Sequence, residues 1–315
     1  MVELNEVRKS YGALTAVDGI SFRAEPGEIF GLLGPNGAGK STTIKMIMNI
    51  LVPDSGSIRL NGNPIREEDK DRIGYLPEER GLYRKVKVGE MLLYLASLKN
   101  ADPVAASRRL DEWLERFELT EWKNRTPDAL SKGMAQKAQF IAAVLHDPQF
   151  IFLDEPFTGL DPVSTDVLRE VVLELGGKGK TILFSTHNME VAERLCSRIF
   201  VIDHGRELLS GTLAEVKARY GQRSIVVEFD GQIDWSRLSG MVANVTRYPR
   251  WVEIELAADA QPQELLKRLV DQVAVTRFEV MAPSLHKIFV QMVAEAGNRV
   301  AEAGNRVAEA GEARS

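Results

Sequence analysis

The chain has 315 residues, 44% of them apolar, with a net charge of −5 and one cysteine. That length suits about two domains, and the apolar share suits folded domains with a large buried core. The charge balance lacks the basic footprint of nucleic-acid binding or of adhesion to an anionic membrane, and a lone Cys196 excludes an intrachain disulfide and points to a reducing compartment.

No stretch reaches the ~20 apolar residues of a membrane-spanning helix, and the N-terminal segment MVELNEVRKS has no apolar signal-peptide core. A soluble protein is therefore expected. Cys196 reads as a small buried hydrophobe rather than a nucleophile. In chain order, Ile20, Phe22 and Ala24 alternate with polar residues, which predicts a strand. Pro26-Gly27 turns the chain into a second strand, Glu28 to Leu33, and after a glycine-rich loop a helix is predicted from Lys40 to about Leu51, before Pro53. Val88, Met91, Leu92 and Leu95 recur at helical spacing, as do Leu110, Trp113, Leu114 and Phe117, so a helical insert is expected at about 85–140.

Three short apolar runs follow, Phe150–Leu153, Thr181–Phe184 and Arg198–Ile202, separated by helices near Ser164–Leu175 and Asn188–Leu195. Strands alternating with helices predict an α/β fold with a parallel sheet covered on both faces. A helix from Leu213 to Tyr220 stops at Gly221, which marks a boundary between a domain at 1–221 and a small α/β domain at 222–292. In the latter, strands are predicted at Ser224–Phe229, Trp251–Leu256 and Val275–Val280, with a helix at Gln263–Val270 and another starting near Pro283-Ser284. The segment 293–315 is a tandem heptad repeat with valine and alanine at coiled-coil spacing. Each unit carries a glycine, unfavourable in a helix interior, so a disordered tail is expected.

Gly34-Pro35-Asn36-Gly37-Ala38-Gly39-Lys40-Ser41 fits the phosphate-loop pattern between a strand and a helix. Its glycines let backbone N–H groups face a phosphate, and the helix N-terminus favours the anion. Lys40 is assigned to the β- and γ-phosphates, the Ser41 hydroxyl to Mg²⁺, and Thr42 or Thr43 to the α-phosphate. At the end of a buried strand, Asp154 and Glu155 place two carboxylates where open α/β sheets bind ligands. Asp154 suits the Mg²⁺ shell, and Glu155 suits the general base that polarises the attacking water.

These features occur with others in a fixed order that resembles the ABC ATPase family over about residues 1–220. Leu130-Ser131-Lys132-Gly133-Met134 resembles the LSGGQ signature, Phe157-Thr158-Gly159-Leu160-Asp161 the D-loop, and Ser185-Thr186-His187 the switch-histidine loop. Ile73-Gly74-Tyr75-Leu76-Pro77 resembles the lead-in to the Q-loop, with Glu78 at the glutamine position, and Tyr11 falls near the family's adenine-stacking aromatic. The resemblance implies a P-loop NTPase cassette fold, with an antiparallel β subdomain and a helical insert beside the parallel sheet. It implies ATP hydrolysis by two cassettes, identical or paralogous, facing head to tail, and a separate transmembrane permease. It assigns Ser131 and Gly133 to the partner's γ-phosphate, His187 to the γ-phosphate and attacking water, and Asp161 to a bridge between cassettes. Glu78 is assigned to the nucleotide and Mg²⁺, a carboxylate being a hard oxygen donor. Lys132 and Met134 depart from the signature, whereas Ser131 and Gly133 keep it.

Ala282-Pro283-Ser284-Leu285-His286-Lys287-Ile288-Phe289 resembles the ending of an extra domain on a group of prokaryotic export-type cassettes, some linked to sodium or drug extrusion. Gly74 to Tyr83 resembles the same group. The competing reading is a soluble ABC protein of translation or DNA maintenance. A single phosphate loop and the short span between Lys40 and Asp154 disfavour it.

Overall fold

The computed structural model describes residues 1–79, 81, 83, 85–220, 224–257, 259–281 and 283–292. Gly221 and the repeat tail at 293–315 lie outside them. The chain divides into two compact units, residues 1–213 and residues from 214 onward.

The first unit holds two sheets. Strands β1 (Val2–Tyr11), β2 (Leu14–Ala24), β4 (Ser55–Leu60) and β5 (Asn63–Pro64) form an antiparallel sheet in the order β2-β1-β4-β5. The second sheet has six strands: β3 (Ile29–Leu33), β6 (Ile73–Leu76), β7 (Phe150–Asp154), β8 (Thr181–Thr186), β9 (Arg198–Asp203) and β10 (Arg206–Thr212). Their order is β10-β9-β3-β8-β7-β6, parallel throughout except for the antiparallel edge strand β10. Every residue of β3, β7 and β8 is buried, as expected of parallel strands covered on both faces. Phe30, Phe150, Phe152 and Phe200 join Ile20, Phe22 and Ile44 in one core shared by both sheets.

Helix α1 (Lys40–Ile47) opens directly after the glycine-rich loop. It ends four residues short of the predicted Leu51, because Asn49 adopts a left-handed φ of 53° and Ile50 and Leu51 both donate to the Lys45 carbonyl. A left-handed C-terminal residue of this kind terminates a helix, and asparagine tolerates it. The insert consists of α2 (Val88–Ser97), α3 (Pro103–Arg116) and α4 (Lys132–Val144), so it runs past the predicted limit of 140. Trp113, Phe117 and Phe140 pack as an aromatic cluster at its centre. Helices α5 (Pro162–Gly177) and α6 (Met189–Leu195) fall at the predicted places between β7, β8 and β9. Close packing explains one glycine of the core: a Cβ on Gly31 of β3 would lie 2.5 Å from the Cys196 Sγ.

Helix α7 (Leu213–Arg219) begins at the division. In the second unit, β11 (Ser224–Asp230), β12 (Val242–Arg247), β13 (Val252–Leu256) and β14 (Ala274–Met281) form an antiparallel sheet in the order β12-β13-β11-β14. One face, with Ile225, Val227, Ile254 and Leu256, buries Leu265 and Leu269 of α8 (Pro262–Val270). Residues 285–292 are helical. The sequence pattern does not show β12, whose Val-Ala-Asn-Val-Thr-Arg run is only half apolar, nor β1, where Glu6 at φ 49° and a register shift after Leu4 break the alternation. Among the described residues no helix is long and apolar enough to cross a membrane.

Candidate active site

The carboxyl ends of the parallel strands carry the reactive groups. The chain leaves β3 at Leu33 and enters α1 at Lys40, and the loop between them is shaped by two close approaches. A Cβ on Gly34 would sit 2.1 Å from the Ile202 carbonyl oxygen, and one on Gly39, at φ 109°, would sit 2.4 Å from that of Ala16. Only glycine fits there. Lys40 is 6% exposed, and its Nζ donates to the carbonyl oxygens of Gly34 at 2.8 Å and Pro35 at 3.0 Å. Burial pushes its pKa below the usual lysine value, while the carboxylates of Glu155, Asp154 and Glu78 pull in the opposite direction.

β7 delivers Asp154 and Glu155, 2% and 7% exposed. The Ser185 hydroxyl donates to Asp154 Oδ1. Both oxygens of Glu155 are engaged from the end of β8: Oε2 accepts from Thr186 Oγ1 at 3.1 Å, and Oε1 accepts from the His187 backbone N–H at 3.0 Å. The His187 Nδ1 lies 2.7 Å from the same Oε1, and Lys40 Nζ is 4.0 Å from it. Because an ionised carboxylate only accepts, that geometry places the imidazole proton on Nδ1. The Glu155 backbone adopts φ 48°, uncommon for a residue with a side chain, and its N–H donates to the Ser185 carbonyl at 3.1 Å. β6 brings in Tyr75, whose phenol is pushed up to about 12 by burial and by the charges of Asp154 and Glu78, so it stays protonated.

A cleft of about 410 Å³ collects these groups. Tyr11, Asn36, Gly37, Gly39, Lys40, Ser41, Thr42, Glu78, Asp154 and Glu155 all border it. Tyr11 ends β1, is 46% exposed and has Lys9 Nζ 5.8 Å from its ring centroid. Gly34, Pro35 and Ala38 shape the loop behind the cleft, and Ala38 is buried. Leu14 and Ala16 also border it without having been read from the sequence. Ser185 and Thr186 were read only as the lead-in to His187. Their signal is two adjacent hydroxyls closing a buried strand after the apolar run Ile182–Phe184.

Ser131, Gly133 and Asp161 do not border this cleft. Ser131 caps α4, its Oγ accepting from the Met134 N–H at 3.2 Å, and an added Cβ on Gly133 would be 3.6 Å from the Gly159 carbonyl oxygen. The signature segment therefore packs against the 159–160 loop of its own chain. Asp161 caps α5, with Oδ1 accepting from the Ser164 N–H at 2.9 Å and Oδ2 from the Ser164 hydroxyl at 2.6 Å. These hydrogen bonds hold its carboxyl below the usual carboxylate range.

Residues 17–158 match the family model "ABC transporter", and residues 211–293 match that of the "ATP-binding protein DrrA1-3-like, C-terminal domain". The uncharacterized ABC transporter ATP-binding protein YhaQ of Bacillus subtilis (strain 168) is 40% identical over 293 residues, 93% of this chain and 98% of its own length. The linearmycin resistance ATP-binding protein LnrL of the same organism is 33% identical over 304 residues, 93% of this chain and 98% of its own length. A solved ATP binding subunit of an ABC transporter is 34% identical, with a TM-score of 0.66 over 70% of this chain and 93% of that one.

Proposed function

This chain belongs to the ABC transporter ATP-binding proteins and is an ATPase of that family, and we propose that it powers export through a separate membrane permease, as one of two cassettes that clamp ATP between them. The observation that carries this reading is the single cleft holding Lys40, Ser41, Asp154 and Glu155 while Ser131, Gly133 and Asp161 lie outside it. Two half-sites on one chain make complete sites when two chains face each other head to tail, identical or paralogous.

In that arrangement the N–H groups opening α1 and the Lys40 ammonium hold the phosphates, and Tyr11 offers its ring to the adenine. Ser131 and Gly133 of the second cassette donate to the γ-phosphate, and Asp161 bridges the pair. His187 holds the γ-phosphate and a water in line. Glu155 takes a proton from that water as its oxygen bonds to the γ-phosphorus and the bond to the bridging oxygen breaks, releasing ADP with the electron pair.

The donor set fits Mg²⁺. Ser41 offers a hydroxyl, and Asp154 and Glu78 offer carboxylates, all hard oxygens on one cleft. Three carboxylates against one lysine would repel a nucleotide triphosphate unless a cation entered with it. Among the described residues no group of three or more acidic, histidine or cysteine side chains could hold a metal alone, so phosphate oxygens and water would complete its shell. Bound there, the ion would neutralise charge on the phosphates.

The permease-coupling surface is assigned to residues 75–100, where Tyr83, Tyr94 and Leu98 are exposed. We assign residues 1–221 to the cassette, 222–292 to an accessory domain and 293–315 to a tail. The relative named for linearmycin resistance, similar along nearly the whole chain, supports the outward direction. Attachment to the cytoplasmic face of the membrane would then be through the permease. An affinity pull-down of the tagged chain from gently solubilised membranes tests this. Recovery of a multi-helix permease is expected, whereas recovery only with ribosomes or nucleic acid would overturn the transport claim and leave the ATPase standing.

A further inference from the structure

Gln136, in the second turn of α4, is 4% exposed although polar. Its Nε2 donates to the Pro156 carbonyl oxygen at 3.1 Å. Pro156 directly follows Glu155. The backbone at Glu155 is therefore held from two sides, by the Ser185 carbonyl of β8 and by a side chain of the helix that Ser131 caps. A residue with a left-handed φ keeps that conformation only while its surroundings impose it, so loss of either tether moves the carboxylate.

We infer that Gln136 is a positioning residue that links the two nucleotide sites of the cassette pair, carrying displacement of the signature end of α4 to Glu155 through the Pro156 carbonyl. This rests on the head-to-tail arrangement and the role of Glu155 proposed above. Ser131 and Gln136 lie on one rigid helical stretch, about 7.5 Å apart along its axis. Ser131 serves the partner's nucleotide, and Glu155 serves the chain's own. Nucleotide bound in one site then biases the base in the other, and the coupling is reciprocal.

The test is steady-state ATP hydrolysis by the full chain carrying Gln136→Met, which keeps side-chain length and removes the donor, beside Glu155→Gln and the double variant. Expected for Gln136→Met is a kcat about 10- to 100-fold lower, the cost of a misplaced catalytic group. KM and thermal stability should be unchanged, and the Hill coefficient for ATP should fall toward unity. The double variant should be no slower than Glu155→Gln alone, because one residue acts through the other. An unchanged kcat and Hill coefficient would overturn the inference, as would a double variant whose losses multiply. Loss of ATP binding together with thermal stability would also overturn it, by showing a general structural role. Should Glu155→Gln itself hydrolyse at the native rate, the base assignment fails; a slow Glu155→Gln beside a normal Gln136→Met sinks only the coupling.

Discussion

His187 and Glu155 meet twice: the backbone N–H and the ring Nδ1 of His187 both reach Oε1 of Glu155, at 3.0 and 2.7 Å. With Thr186 on the other oxygen, the end of β8 takes three of the carboxylate's four lone-pair positions and leaves one on Oε2. A water attacking the γ-phosphate can use the lone pair left on Oε2, and for the His187 ring to turn to a γ-phosphate its own bond to Oε1 has to open. The imidazole is the one free to swing, because its side chain is about half exposed whereas Thr186 is buried.

His187→Ala is accordingly expected to lower kcat by about 10²-fold, the lower range for loss of one transition-state contact, while ATP binding stays as it was. Nucleotide titration and steady-state hydrolysis on the same preparation check it. An unchanged kcat would remove His187 from the reaction.

Lys40 makes the complementary case on the binding side. Its ammonium is desolvated and held by two loop carbonyls, so it exchanges those contacts for phosphate oxygens at little reorganisation cost. Lys40→Ala should weaken ATP binding by about 10- to 100-fold, the equivalent of one charge-assisted hydrogen bond, with no loss of secondary structure. Equilibrium binding of a fluorescent ATP analogue measures it, and native affinity would contradict the assignment.

The site was legible where chemistry forces a residue type. The phosphate loop shows because Gly34 and Gly39 have no room for a Cβ, and Asp154 and Glu155 show because charges rarely end a buried strand. The parallel sheet shows for the same reason, through β7, β8 and β9. β1 and β12 do not show, since a bulge and a half-polar composition hide the period of two. Gln136 was also missed, because its partner is a backbone carbonyl twenty residues away in sequence, and no side-chain pattern announces such a contact.

His146 supplies a prediction about pH. Its Nε2 lies 3.1 Å from the Ile73 carbonyl, its Nδ1 has no hydrogen-bond partner among the described residues, and burial pushes its pKa from 6.5 down to about 4. Below pH 6.5 the unfolded chain takes up a proton that the folded chain refuses until about pH 4, so stability is lost as pH falls through that window. His146→Gln, which keeps a donor for Ile73, should flatten that acid-side loss. Urea unfolding at the two ends of the window measures it. Equal slopes for both proteins would show that His146 does not titrate as described.

The head-to-tail pairing of cassettes is the claim on which the rest depends, and sedimentation of Glu155→Gln with and without ATP and Mg²⁺ tests it most directly. The account predicts a monomer without nucleotide, a dimer with ATP that ADP does not support, and loss of that dimer when Ser131→Ala is added. A Glu155→Gln protein that binds ATP yet sediments as a monomer, or a dimer indifferent to Ser131, would contradict it.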